Sequence, residues 1–490
     1  MKIRDLMKGA SVVSYGGCED LDVLGVTGDS RAVKEGFAFL CISGTKFDGH
    51  SFINDAVKAG AIVAIVERIP ENCPIPCVVT TDNRLAASWI FSNYRGRPQS
   101  KMRLIGVTGT NGKTSTTYML YNMFKRCNRN CGVIGTICNF WGDKKVDMGM
   151  TTPDPERLFD ILSQMQQDGV TDVFMEVSSH SLMLGRVAPL DFEASIYTNL
   201  TPEHLDFHKT MDEYAAAKEL LFKKSKMGIF CVDNEYVKKA AEKNLCKSIT
   251  YSLNEEADYV AYDVVLDSIN SVSYKISCPD GEEMDIFCDI GGKFSVYNTL
   301  GAVVCALALG IPKSEIKNAL RDIPGVPGRI ERITPTDLPF TVLVDYAHTP
   351  DALENILTTI IESRKDGQKI TVVFGCGGDR DKTKRPIMGN IATKMADKVI
   401  ITSDNPRTED PQSIIDDIIA GIPEGKNFSV YCDRREAIAN AVTEAIDGEI
   451  ILIAGKGHEN YEIRKDGKHP FSERDEVMKA LAQRHQHLGG

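Results

Sequence analysis

The chain has 490 residues, 42% hydrophobic and 26% charged, with a formal net charge of -11. That length calls for more than one domain, and three is the natural division. The acidic balance argues against a nucleic-acid-binding surface. The longest near-apolar stretch, residues 300–311, is too short to span a bilayer and reads as a buried helix. The opening MKIRDLMKGA lacks the apolar core of a signal peptide. Fourteen cysteines are scattered without paired CxxC sets, as reduced core thiols would be. The expectation is a cytoplasmic monomer with no membrane insertion and no nucleic-acid partner.

Residues 1–98 read as a small α/β domain. Apolar runs at 61–66 and 77–80 predict strands, and 52–59 and 85–93 predict helices. Two polar loops, Gly28-Asp29-Ser30-Arg31 and Gly44-Thr45-Lys46-Phe47-Asp48-Gly49, read as turns when taken alone. The segment 95–100 is polar and breaks both periodicities, which predicts a linker.

The second domain, 99–330, opens on the most informative stretch. Leu104-Ile105-Gly106-Val107 predicts a buried strand, and Met119, Leu120, Met123 and Phe124 fall at helical spacing. Between them runs Gly109-Thr110-Asn111-Gly112-Lys113-Thr114-Ser115. Strand, glycine-rich turn, Lys-Thr and helix form a phosphate-binding layout. Glycines let backbone N–H groups turn around an anion, and the helix N-terminus adds positive potential. Lys113 would reach the outer phosphates, and the Thr114 hydroxyl would sit on magnesium. Val107 stands where the general nucleotide pattern has a further glycine.

A loop comes next at Met150-Thr151-Thr152-Pro153-Asp154, then a helix at 155–167 and a strand at 171–177. Glu176 ends that strand beside Ser178, where an acid on the magnesium side of a phosphate loop belongs. His204, within 198–208, reads by itself as structural. Lys218, on a helix, reads by itself as a solvated face residue. Asn298 is an ordinary helix residue or an adenine contact, and Arg329, framed by Gly325, Pro327 and Gly328, is a phosphate contact or a hinge.

Residues 331–490 alternate strand and helix, with strands at 341–344, 370–374, 399–402, 428–432 and 450–453. This predicts a parallel, Rossmann-like sheet. Four of the five strands run into polar loops. These are Asp345-Tyr346-Ala347-His348-Thr349-Pro350, the 375–382 loop with Arg385, Asp404-Asn405-Pro406-Arg407, and Gly455-Lys456-Gly457-His458-Glu459. In a parallel sheet all four share the edge where ligands bind.

GTNGKT, EVSSH, NLTPEHLDFH, YAAAK, DYAHTP, GGDRDK with KRP, DNPR and GKGHE together resemble the Mur ligase family over essentially the whole chain. The resemblance implies an α/β protein of three domains: a small domain for a UDP-sugar, a central ATPase-like domain, and a Rossmann-like domain for an amino acid. It implies ATP-driven amide formation through an acyl phosphate. The diamino acid meso-2,6-diaminopimelate would join the D-Glu of UDP-N-acetylmuramoyl-L-Ala-D-Glu. Gly109 to Ser115, Asn298, Arg329 and Asp345 would contact ATP. Thr114, Glu176, His204 and Lys218 would hold two magnesium ions, with Lys218 carbamylated, and Lys113, His204 and Lys218 would be catalytic. Ser30, Thr45, Lys46, Phe47, Thr151, Thr152, Ser178 and Arg186 would meet the UDP-sugar peptide. Departures from some relatives stand at Thr45-Lys46-Phe47, Leu184 and Ser295.

The far end of diaminopimelate carries a carboxylate and an ammonium. Arg385 and Arg407 suit the first, Asp404 and Glu459 the second, with Asn405, Pro406 and Gly455 completing the site. Lysine would leave a guanidinium unpaired, so diaminopimelate is expected to be preferred. The alternatives are a lysine-adding sister ligase, a folylpolyglutamate synthase, or a regulator that only hydrolyses ATP.

Overall fold

The computed structural model describes residues 1–44, 48–147, 149–268, 271–321, 323–335 and 337–488. The chain falls into two compact units. The first comprises Met1–Val260, Ser277–Glu282 and Tyr297–Ala319; the second comprises Ala261–Ile276, Glu283–Val296 and Leu320–Gly490.

The first unit opens with a five-stranded sheet of β1 (Val12–Ser14), β2 (Gly25–Thr27), β3 (Phe37–Leu40), β4 (Ala61–Val66) and β5 (Cys77–Thr80). Its order is β1-β5-β4-β3-β2, parallel apart from β1. The continuous apolar run of β4 reflects a strand covered on both faces. The expected linker is a 3-10 turn, Pro98–Lys101, with Pro98 and Gln99 buried. Gln99 donates to Ser92 Oγ at 2.7 Å and Arg95 to Asp160 at 2.6 Å. One hydrophobic cluster runs from Ile3 to Ala241, so residues 1–98 share a core with the central strands and helices. Arg95, Gly96, Arg97 and Ser100 stay exposed, so the polarity of 95–100 serves both solvation and internal bonds.

The central strands are β6 (Arg103–Thr108), β7 (Cys131–Ile134), β8 (Asn139–Trp141), β9 (Lys144–Val146), β10 (Asp172–Glu176), β11 (Phe192–Tyr197), β12 (Ser225–Cys231) and β13 (Lys247–Ser252). β6 lies between β10 and β11, parallel to both. The strand order therefore reverses beside the carboxyl end of β6, which is where open α/β sheets bind ligands. β8 and β9 add an antiparallel edge.

β14 (Tyr259–Ser268) begins beside β13, and its later residues, with most of β15 (Ser271–Ser277) and all of β16 (Glu283–Cys288), belong to the second unit. Chain order assigned all of these to 99–330. Burial alternates residue by residue along β16, as in a strand with one wet face. The stretch carries no strong turn or motif signal in the sequence.

The second unit also holds β17 (Glu331–Arg332), β18 (Thr341–Asp345), β19 (Ile370–Phe374), β20 (Lys398–Thr402), β21 (Phe428–Tyr431) and β22 (Ile450–Ala454). Their order is β17-β18-β22-β19-β20-β21, parallel apart from β17. Apolar clusters form around Leu452 and around Ile453, consecutive residues of β22 that face opposite sides of the sheet. A hairpin, β23 (Tyr461–Arg464) and β24 (Gly467–Pro470), comes after the last polar loop and was not foreseen. No helix among the described residues is long and apolar enough to cross a membrane.

Candidate active site

The phosphate loop leaves β6 and ends at the helix Lys113–Arg126. Two of its glycines are required by space. Gly109 has φ +151°, and a Cβ there would meet Thr198 Oγ1 at 1.9 Å. Gly112 has φ +85°, and a Cβ there would meet Asn298 Oδ1 at 2.3 Å. Lys113 Nζ donates to the carbonyls of Gly109 and Thr110, both at 2.9 Å. Asn111 N donates to Asn199 Oδ1 at 2.9 Å, and Thr110 Oγ1 to Thr201 O at 3.2 Å. The run 198–201 thus braces the loop. Ser115 sits in the first turn of the helix. Asn298 is buried against the loop and accepts from Thr116 Oγ1 at 3.5 Å.

Glu176 is fully buried at the end of β10. Thr114 Oγ1 donates to its Oε2 at 2.9 Å, Thr136 Oγ1 to the same oxygen at 3.0 Å, and Thr136 N to Oε1 at 2.8 Å. Thr136 is a site residue that sequence reasoning missed. The signal was Gly135, where a Cβ would stand 2.3 Å from Glu176 Oε1. Gly135→Ala is expected to displace the carboxylate and weaken magnesium-nucleotide binding about tenfold or more, read by calorimetric titration, with far-ultraviolet circular dichroism unchanged.

Lys218 is wholly buried on the helix Met211–Phe222. Its Nζ donates to Gly109 O at 2.8 Å, sharing that carbonyl with Lys113, and lies 4.6 Å from the Tyr214 ring centroid. Burial, reinforced by Lys113, pushes its pKa well below the ordinary lysine value. The solvated-face reading of Lys218 is therefore corrected: the residue lies under the phosphate loop. His204, left-handed at φ 56°, packs edge-on to His180 at 4.9 Å and to Tyr214 at 6.1 Å. The unforeseen His208 bonds Ser179 Oγ at 2.8 Å.

The structure also gathers residues around the end of β10. Thr136 Oγ1 and Thr151 Oγ1 are hydrogen-bonded at 3.0 Å, and Thr152 Oγ1 donates to Glu176 O at 2.9 Å. Arg186 donates to Thr152 O at 2.8 Å and pairs with Asp154 at 3.0 Å. Ser178 caps the helix Ser179–Met183. Ser30 opens a 3-10 turn capped by Asp29. Thr45, Lys46 and Phe47 lie outside the described residues.

In the second unit the four polar loops leave the carboxyl ends of β18, β19, β20 and β22. Both carboxylate oxygens of Asp345 accept backbone N–H groups, from Ile330 and Ala347, each at 2.8 Å. Burial raises the Asp345 pKa, opposed by Arg329, whose guanidinium lies 4.7 Å from the Tyr346 ring centroid. Asp345 thereby holds Arg329's loop against the end of β18.

Two expectations need correction. Arg385 was expected to offer its guanidinium to a ligand. It is fully buried and donates to Glu409 at 2.9 and 3.0 Å and to Asp417 at 2.8 Å. These carboxylates occupy the fork that a ligand would need. Asp404 was expected to take a ligand's ammonium, but buried Lys456 already places Nζ 3.1 Å from it. Burial pushes Asp404 up; Lys456 and Arg434 outweigh it and hold the carboxyl below the usual range.

Arg407 differs. Its Nη1 donates to Gly378 O at 2.7 Å, and among the described residues no carboxylate lies within ion-pairing distance. Glu459, raised by burial, accepts from Asn405 at 3.0 Å. Asn405 in turn accepts from Lys456 and from Ile463 N, both at 2.8 Å. Pro406 turns the chain so closely that a Cβ on Gly378 would meet its carbonyl at 1.9 Å. Gly455 has φ +131°, and a Cβ there would approach Asp404 and Arg434 at 3.3 and 3.4 Å. Beneath these loops, buried Arg434 bonds Glu473, Ser403 O and Ala454 O, tying the ends of β20 and β22 together. Neither Arg434 nor Glu473 sits in a motif, so sequence alone gave no pointer to them.

Three family models match in chain order: "Mur ligase family, catalytic domain" at 22–87, "Mur ligase middle domain" at 107–306, and "Mur ligase, glutamate ligase domain" at 328–457. The chain is 42% identical over 488 residues to the UDP-N-acetylmuramoyl-L-alanyl-D-glutamate–2,6-diaminopimelate ligase of Clostridium perfringens (strain 13 / Type A), covering 98% of this chain and 99% of that one. It is 43% identical over 487 residues to the protein of the same name from Clostridioides difficile (strain 630), covering 98% and 100%. A solved structure with that name superposes with a TM-score of 0.72 at 31% identity, covering 99% of both chains. A MurF ligase from Thermotoga maritima in complex with ADP shares the fold, with a TM-score of 0.62 at 18% identity over 94% of this chain and 97% of that one. The chain, an α/β protein of three successive domains, belongs to the Mur ligase family.

Proposed function

We propose that this protein is an ATP-dependent amide ligase of cytoplasmic peptidoglycan precursor synthesis. It joins meso-2,6-diaminopimelate to the D-Glu carboxylate of UDP-N-acetylmuramoyl-L-Ala-D-Glu. The name shared by full-length relatives above 40% identity supports this substrate pair. The observation that carries the reading is Lys218, a buried amine on the same loop carbonyl as Lys113. A plain phosphate loop needs one lysine. A second, whose charged form burial disfavours, is suited to take up carbon dioxide and become a carbamate.

The donor set under the loop fits magnesium. The Thr114 hydroxyl and the Glu176 carboxylate are hard oxygen donors 2.9 Å apart at a helix N-terminus. Lys218 as an ammonium would repel a second ion; as a carbamate, with His204, it would hold one. Held by Thr114 and Glu176, magnesium would neutralise charge that builds on the phosphate oxygens. Lys113 swings from its loop carbonyls to the outer phosphates. The D-Glu carboxylate attacks the γ-phosphorus and ADP leaves. The amine of diaminopimelate then attacks the acyl carbon and phosphate leaves. Arg407 takes the far carboxylate, and Glu459 the far ammonium.

The test is ADP release with ATP and UDP-N-acetylmuramoyl-L-Ala-D-Glu, comparing meso-diaminopimelate with L-lysine. Turnover with diaminopimelate alone is expected. Turnover with lysine alone would make this a lysine ligase, and ADP release indifferent to either amino acid would overturn the ligase reading.

A further inference from the structure

The proposed reaction leaves one proton without an acceptor, that on the attacking amine. This inference rests on the ligase reading. His348, on the loop after β18, lies 2.8 Å through Nδ1 from the carbonyl oxygen of Tyr346. A carbonyl only accepts, so Nδ1 carries the hydrogen and a neutral ring has its lone pair on Nε2. The imidazole packs on the Tyr346 ring at 4.6 Å, and Lys384 Nζ donates to the backbone carbonyl of His348 at 2.8 Å. Among the described residues no group bonds Nε2, and the side chain keeps part of its surface exposed. The loop sits on the ligand edge: Asp345 pairs with Ala454, the residue before Gly455, and Asp404 acts electrostatically on His348.

The geometry points to His348 as the general base of the amide-forming step. The amine nitrogen forms the C–N bond with its lone pair. The adduct's N–H proton passes to Nε2. The C–O bond to the phosphoryl group then breaks, and phosphate departs with that electron pair. The imidazolium returns its proton to solvent. The environment agrees: burial lowers the ring's pKa, opposed by the Tyr346 carbonyl and Asp404 and reinforced by Lys384 and Arg329, which favours the neutral ring.

The experiment compares wild type with His348→Gln and His348→Ala. Acyl-phosphate formation is read by isotope exchange from ATP without the amino acid, and complete turnover by amide product. Both variants are expected to keep the exchange within about threefold and lose about 10²–10³-fold in kcat, with KM for diaminopimelate little changed. The acid limb of the kcat–pH profile should vanish, and added imidazole should restore part of the His348→Ala rate. Full kcat in His348→Gln, or a raised KM at intact kcat, would overturn the assignment while leaving the ligase reading in place. A wild type that makes no amide would overturn both. Loss of exchange together with product would assign His348 to the loop's fold instead.

Discussion

Lys218→Ala is expected to lower amide formation about 10²–10³-fold while ATP still binds. The side chain is wholly buried, and its amine, with that of Lys113, meets the carbonyl of Gly109. Taking a lysine out of water disfavours its charged form, and Lys113 adds repulsion. These fix the sign. With the folded pKa depressed, the amine is neutral above that value and gains a proton as pH falls through it. Only the neutral amine adds carbon dioxide. Activity should therefore fall on acidification or on stripping bicarbonate, and return when bicarbonate is restored. The check is steady-state turnover in degassed and in bicarbonate-supplemented buffer. Unchanged turnover after exhaustive removal would show that Lys218 acts as an amine.

The second large effect separates two arginines. Arg407→Ala is expected to reduce kcat/KM for meso-diaminopimelate about 10–150-fold, since a hydrogen bond to a charged group is worth about 1.5–3 kcal/mol. L-Lysine, with no far carboxylate, should be used no worse than before. Arg385→Ala should behave otherwise. It removes the fork from Glu409, whose carboxyl is held down to about 2 chiefly by hydrogen bonds from Arg385, and leaves it Lys382 and the Asp379 N–H, so the expected loss is in stability, about 1.5–3 kcal/mol, with both amino acids affected alike. Thermal unfolding beside a two-substrate kinetic comparison distinguishes them. Equal kinetic losses for both amino acids in Arg407→Ala would remove it from the selectivity argument.

Much of the site was readable because its chemistry is local. A strand, two glycines, Lys113 and Thr114 lie within a few residues, and each constraint acts on its neighbours in the chain. The regular alternation after residue 331 likewise predicted a parallel sheet with polar loops on one edge, and β18, β19, β20 and β22 run that way.

What the sequence could not decide was the partner of each charge. Arg385, in the first turn of the helix Lys384–Met395, and Arg407, in the loop after β20, follow polar stretches that look alike in sequence, yet one meets Glu409 and Asp417 and the other a single carbonyl. Lys218 looked like a solvated helix residue because the loop that buries it comes from more than a hundred positions earlier. The chain by itself determined the phosphate loop, the strand–helix rhythm and the family. Only the tertiary structure decided which ionisable groups are buried, which are paired and which remain open. Ionisation depends on desolvation and on the nearest opposite charge, and in a folded chain both are set by residues far apart in sequence.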